Sequence, residues 1–282
     1  MKRILGLIIA VLLSIGASVP AYAEEGDNPL EWRGTVEYRI DSKSYWRSGV
    51  SDGLNLVTAP ARWDEGDWVK AGFVLGGTAL LYTFDDRLMT WVQNNRSQAS
   101  NDVADIAKQF GNEVFVLPGL ALLYGYGYMT DDNRMRKTTL LGFESWFYSS
   151  LLTTVVKQSF HRNRPKEGGG YDQWGGPSLS ADHISFPSGH ASTAWSIATV
   201  IATQYDDIWF IPPAAYTAAT MVSLARMNDA EHWASDVFFS SATGYFIGKA
   251  LTKWHKDNAY GRLTLLPFYD GQTAALYLDM TF

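Results

Sequence analysis

The chain has 282 residues and no cysteine, with 23 Lys and Arg against 29 Asp and Glu and a formal net charge of −6. At 46% hydrophobic and only 18% charged residues, it has ample material for a core and too little charge for a disordered chain. The acidic balance and the lack of any Lys/Arg-rich run exclude nucleic acid as a partner, because binding a phosphate backbone needs a basic face.

Met1, Lys2 and Arg3 form a positive start, Ile4 to Ile15 an apolar stretch, and Ala21-Tyr22-Ala23 a small-x-small cleavage pattern. Met1 to Ala23 therefore reads as a secretory signal of bacterial style. Its removal takes away Lys2 and Arg3 and leaves a net charge of −8. An exported chain without cysteine must draw its stability from burial or from a membrane.

An extension follows over residues 24–67, mixed in character, with one alternating run from Thr35 to Ile40 that predicts a short strand. A helical domain is expected over residues 68–256. Its apolar helices are expected at Trp68 to Phe84, Asn112 to Met129, Thr138 to Lys157, Ser188 to Gln204, Pro212 to Ala225 and Ser235 to Trp254. An amphipathic segment, Asp85 to Phe110, lies between the first two. The tail, residues 257–282, alternates apolar with polar residues around Asp270-Gly271, which predicts a β-hairpin. The fold class expected is all-α, a bundle of about six core helices with a short N-terminal strand and a C-terminal hairpin.

The charge-free runs inside these helices are 12 to 18 residues long. Spanning a bilayer takes roughly 20 predominantly apolar residues. Most are too short, and Thr138 to Val156 is rich in Thr and Ser. After a cleaved signal, three crossings would also leave Lys157 on the cytoplasmic side, away from exported substrates. The reading favoured is a water-soluble or peripheral bundle in the periplasm, with an integral membrane bundle as the alternative.

Three clusters carry chemistry. Lys157-x6-Arg164-Pro165 places cations at a helix end, where they suit the macrodipole and could equally be a solvated terminus. Pro187-Ser188-Gly189-His190 opens a helix. Ser188 is a good cap, and the free N–H groups of such an end make an anion site that Gly189 lets a ligand approach closely. Arg226-x5-His232-x3-Asp236 places His232 and Asp236 on one face if the segment is helical, so that the carboxylate could accept the imidazole N–H. Each taken alone has an ordinary structural explanation. Gly125-x-Gly127 lacks the setting of a nucleotide fingerprint. The pairs Asp85-Asp86, Asp131-Asp132 and Asp206-Asp207 read as solvated helix termini rather than metal carboxylates.

In this order the three clusters resemble the signatures of the type 2 phosphatidic acid phosphatase superfamily, which includes lipid phosphatases, bacterial acid phosphatases and vanadium haloperoxidases. The likeness extends over roughly Trp68 to Trp254, with Ala225 standing where the family usually has Ser. It implies a phosphatase for phosphate mono- or diphosphate esters, lipid or polyprenyl phosphates among them. In that reading His232 is the nucleophile of a phosphohistidine intermediate, Asp236 its orienting partner and His190 the proton donor. Lys157, Arg164, Ser188, Gly189 and Arg226 bind the phosphate. No metal or other cofactor is implied. Two alternatives stand beside it: a haloperoxidase holding vanadate at the same residues, and a non-catalytic envelope protein.

Overall fold

The computed structural model describes residues 36–257, 262–269 and 274–281. The signal at Met1 to Ala23, the part of the extension before Val36, and the Asp270-Gly271 turn lie outside the described residues. Nine α-helices run through the described residues: α1 (Lys43–Thr58), α2 (Glu65–Tyr82), α3 (Asp85–Asn94), α4 (Gln98–Ala107), α5 (Glu113–Met129), α6 (Asn133–Phe160), α7 (Gly189–Gln204), α8 (Ile211–Asn228) and α9 (Ala234–Asp257). The last two segments, β1 (Arg262–Tyr269) and β2 (Ala274–Thr281), pair antiparallel with Arg262 opposite Thr281.

The helix starts follow from local chemistry. Ser42, Asp64, Asn112, Asp132 and Ser188 each accept a hydrogen bond from a backbone N–H of the first turn they cap. The expected amphipathic segment is two helices, because Ser97 and Ser100 form a reciprocal capping box that begins α4. The strand expected at Thr35 to Ile40 is corrected: Val36 to Arg39 form no ladder and Ile40 begins a turn. A strand needs a partner, and among the described residues β1 and β2 pair only with each other. Tyr38 instead drops into the bundle, where its hydroxyl meets Nδ1 of His255 at 2.7 Å.

Helix α7 is the centre, packed against α6, α8 and α9. Its buried side chains are small, among them Ala191, Ser192, Ala194, Ser196 and Ala198. Small residues let backbones approach, and α9 meets α7 almost at contact. A Cβ added at Gly244 would stand 2.5 Å from the carbonyl oxygen of Ser192, and one at Gly248 2.6 Å from that of Ser196. Packing this close fixes the α7 N-terminus against the start of α9, which brings the second and third clusters together.

The exterior is apolar where α2 and α5 face outward. Val69 and Phe73 are 71% and 72% exposed, and Leu122 and Met129 76% and 87%. Among the described residues, no helix is long and apolar enough to cross a membrane.

Gly244→Ala should lower stability by about 1–3 kcal/mol, because the methyl group can be accommodated only by moving two packed backbones. Gly72→Ala, where the Cβ meets nothing within 4 Å, should be neutral or stabilising by up to ~1 kcal/mol through helix propensity. Urea unfolding of the two variants checks this. Equal stability of both would mean that the α7–α9 contact is not close.

Candidate functional site

Lys157 stands in the last turn of α6, which His161 ends with a left-handed backbone at φ 44°. The reversal turns the chain so that Arg164 comes back toward the turn between α8 and α9. There its guanidinium pairs with Glu231, which also holds Lys166 at 2.5 Å and lies 3.9 Å from Arg226. Arg226, in the last turn of α8, is 8% exposed, and its Nε has no hydrogen-bond acceptor among the described residues. Lys157 donates to the Ile184 carbonyl at 2.5 Å. Burial, then the neighbouring Arg164, pushes this ammonium down to about 7 although Asp236 opposes the shift. The three cations expected from sequence therefore share one small region.

They surround the N-terminus of α7. Ser188 accepts from the Ala191 N–H at 3.4 Å, and its own N–H goes to Ser240 Oγ at 2.6 Å. Gly189 and His190 hold the first two helical positions, whose N–H groups have no partner within a helix. A Cβ at Gly189 would meet nothing within 4 Å, so the space over these amides is open. The His190 imidazole is pushed down to about 3, by burial first and then by Arg226 and His232. It is neutral in the free protein at ordinary pH.

His232 is 3% exposed and lies in the turn before α9, not within it. Its Nδ1 is 2.7 Å from the Ser185 carbonyl oxygen, whereas Asp236 is 3.8 Å away. The expected direct hydrogen bond to Asp236 is corrected, because His232 is outside the helix and the i,i+4 geometry does not hold. A carbonyl only accepts, so Nδ1 carries the proton and the Nε2 lone pair is free. Burial pushes His232 down to about 4, against the pull of Asp236.

Asp236 works one step back. Its Oδ2 accepts from Ser185 Oγ at 2.6 Å and from the Trp233 N–H at 2.9 Å, and its Oδ1 from Arg162 at 2.6 Å. It thus fixes both Ser185, which holds the imidazole, and the turn that carries it. Burial works against this carboxylate, yet His232, the Arg162 cation and the Ser185 hydroxyl hold it below the usual range.

Arg162 and Asp85 are what sequence reasoning missed. Asp85, read as a solvated helix end, is fully buried and bonds Arg162 at 2.7 Å. Its two oxygens also accept from the backbone and hydroxyl of Ser235 at 2.9 and 2.5 Å. Burial raises it above the ordinary carboxylate range although Ser235 and Arg162 oppose that. Arg162 sits in the first cluster as one more cation, and nothing local distinguishes it from Arg164. Its burial is set by aromatic rings of Tyr82, Trp174 and Trp233, at 4.9, 4.9 and 5.4 Å from the guanidinium carbon.

Residues 140–260, which contain all three clusters, match the family model described as the PAP2 superfamily. A stretch of 75 residues, 26% of the chain, is 37% identical to the lipid A 1-phosphatase of Porphyromonas gingivalis and covers 16% of that protein. The match thus takes in less than a fifth of that relative's length. The crystal structure of a transmembrane PAP2 type phosphatidylglycerolphosphate phosphatase from Bacillus subtilis superposes with a TM-score of 0.50 at 16% identity, covering 68% of this chain and 99% of that one. This likeness shows the fold. The crystal structure of Aquifex aeolicus LpxE aligns at a TM-score of 0.48 and 19% identity over 60% of this chain and 95% of that one.

Arg162→Met should cost about 3–5 kcal/mol, because it leaves two buried carboxylates without their cation. Arg162→Lys should restore only part, since an ammonium cannot reproduce the five-donor fork. The midpoint of urea unfolding measures both. A loss under ~1 kcal/mol for the Met variant would remove Arg162 as the anchor of the site.

Proposed function

We propose, from the membership of residues 140–260 in the PAP2 superfamily, that this chain is a phosphoric ester hydrolase acting on lipid phosphates in the cell envelope. One observation carries the reading. A buried imidazole with its Nδ1 tied to a carbonyl lies among Lys157, Arg164 and Arg226 at an open helix N-terminus. That is a set of donors and positive charge for a tetrahedral anion, with a nucleophile beside it.

In the first step Nε2 of His232 attacks phosphorus in line, the P–N bond forms and the P–O ester bond breaks. The Ser185 carbonyl and, through Ser185, Asp236 stabilise the imidazolium that develops. The departing oxygen takes its proton from His190, which acquires that proton when the phosphate dianion offsets the surrounding cations. In the second step water attacks phosphorus, His190 takes the water proton, and the P–N bond breaks to release phosphate. Lys157, Arg164, Arg226 and the Gly189 and His190 N–H groups neutralise the equatorial oxygens throughout, with Ser188 fixing the turn. Neutralisation by fixed cations asks for no metal at the phosphate.

Two features support a lipid substrate. The outward side chains of α2 and α5 form an apolar exterior suited to the surface of a membrane, and the P. gingivalis relative is named as a lipid A 1-phosphatase. With export through the Met1 to Ala23 signal, the protein would rest on a periplasmic membrane face. The substrate's polar head would then reach the α7 N-terminus from outside.

His232→Ala should lower phosphate release by at least ~10³-fold for every substrate while leaving the circular dichroism spectrum unchanged. His190→Ala should cost far more with an alkyl phosphate than with a nitrophenyl ester, whose leaving group needs no proton. Equal losses on the two substrates would remove His190 as the acid, and turnover by His232→Ala would remove the covalent route.

The pH profile follows from the same groups. His232 attacks only when neutral, so kcat/KM should rise as pH increases through about 4. Lys157 binds phosphate only when protonated, so kcat/KM should fall as pH increases through about 7. The Lys157→Arg variant should extend the alkaline limb. A wild-type profile flat from pH 5 to 9 would contradict the role of Lys157.

A further inference from the structure

Away from the phosphate site, α1, α6 and α9 bring together Asp52, Glu144 and His255, all buried, with one ligand atom from each lying within 4.8 Å of the others. Glu144 precedes Lys157 by thirteen residues on α6, about 20 Å along the axis, so this cluster belongs to the other end of the bundle. His255 Nε2 lies 2.7 Å from Asp52 Oδ2 and 4.0 Å from Glu144 Oε2. Asp52 is 0% and Glu144 5% exposed. Among the described residues, three of their four carboxylate oxygens, Asp52 Oδ1 and both of Glu144, have no hydrogen-bond partner.

Buried carboxylate oxygens without donors are rare, because they have lost water and gained nothing. Two such groups side by side need positive charge or protons between them. We propose that Asp52, Glu144 and His255 form a binding site for a divalent transition ion of the zinc or manganese class, which ties α1 to α6 and α9.

The donor set fits that class. Two carboxylates balance a divalent charge, and an imidazole nitrogen selects transition ions over magnesium or calcium. Bonds of about 2.0–2.2 Å place neighbouring ligand atoms roughly 3.3–3.5 Å apart, within the range of separations seen here. His255 also has the support that metal-bound imidazoles use: Nδ1 contacts the Tyr38 hydroxyl at 2.7 Å, which fixes the ring and leaves Nε2 toward the carboxylates. Burial, and after it the charge of Asp52, pushes Glu144 up to about 8, and burial raises Asp52 well above the usual range although Glu144 opposes that shift. Without an ion, the cluster therefore holds protons.

The test uses the full purified chain, stripped with a chelator and then titrated with zinc chloride. Metal retained after gel filtration and the thermal midpoint are measured for wild type, Glu144→Gln and Asp52→Asn. The wild type should retain one zinc per chain and gain roughly 5 °C or more in midpoint, and both variants should bind at least tenfold more weakly and lose the gain. X-ray absorption of the zinc-loaded wild type needs no variant to fold, and should show one imidazole nitrogen with oxygen ligands. A wild type that retains no zinc, zinc retention unchanged in both variants, or a zinc environment with two or more imidazoles would each overturn the proposal. The first would leave the carboxylates sharing protons, and the other two would place the ion elsewhere.

Discussion

The guanidinium of Arg162 is the point on which the arrangement of this protein depends. It is wholly buried and spends every donor. Nη1 reaches Ser235 and Asp236, Nη2 reaches Asp85 and the Tyr171 carbonyl, and Nε reaches the same carbonyl. Taking a cation and two carboxylates out of water is costly, and attraction repays that only when geometry is close to ideal. Here the fork geometry of arginine meets two carboxylates and a hydroxyl at 2.6 to 2.8 Å. The result joins the start of α3, the segment after α6 and the start of α9, which are remote in sequence. Their positions fix where Lys157, Arg164 and His232 stand.

From that anchor the electrostatics of the proposed phosphate site follow. Asp236 is held by Arg162 on one oxygen and holds Ser185 on the other, and Ser185 holds His232. A negative charge 3.8 Å from the imidazole Nδ1 steadies it at ion-pair distance, while the hydrogen bond goes to the Ser185 carbonyl. In front, three cations and two free amides create a region where an imidazole is reluctant to take a proton. Burial first, and then this positive field, keeps His190 and His232 neutral in the free protein, and the same field suits a phosphate. Glu231 bridges Arg164, Lys166 and Arg226 at the edge of this field, limiting the mutual repulsion of the cations.

The interior is unusually polar and small, and part of the exterior is apolar. Ser196, Ser149 and Thr199 are buried around α7, and their hydroxyls serve their own helices or one another, as Ser149 does with Ser196 at 3.3 Å. Small side chains let α7 and α9 touch, which large apolar ones would prevent. The large apolar residues then accumulate outside, on α2 and α5. A bundle of this kind keeps its precision in close backbone packing, while its surface is suited to contact with other apolar material.

Much of this was legible in the chain itself. Four of the six apolar helices follow from runs that Asp64, Asn112, Asp132 and Ser188 cap, and α8 opens instead on Pro212-Pro213; capping and periodicity are local properties that the sequence settles. The three clusters were legible too, because each sits at a helix end, where a local motif fixes direction and leaves its groups unpaired. Helix α1 was not: its buried face is Tyr45, Ser48, Asp52 and Asn55, a polar stripe that hydrophobic periodicity does not register. The partner of His232 was not legible either, because the helix begins only at Ala234 and the ring turns to a carbonyl 47 residues away. Asp85 and Arg162 looked like solvated charges, and only the tertiary structure, by packing three aromatic rings and two other chain segments around them, decided that they are buried together. Sequence specifies which groups can bond. Which of them lose water and must therefore find one another is decided by packing between segments far apart along the chain.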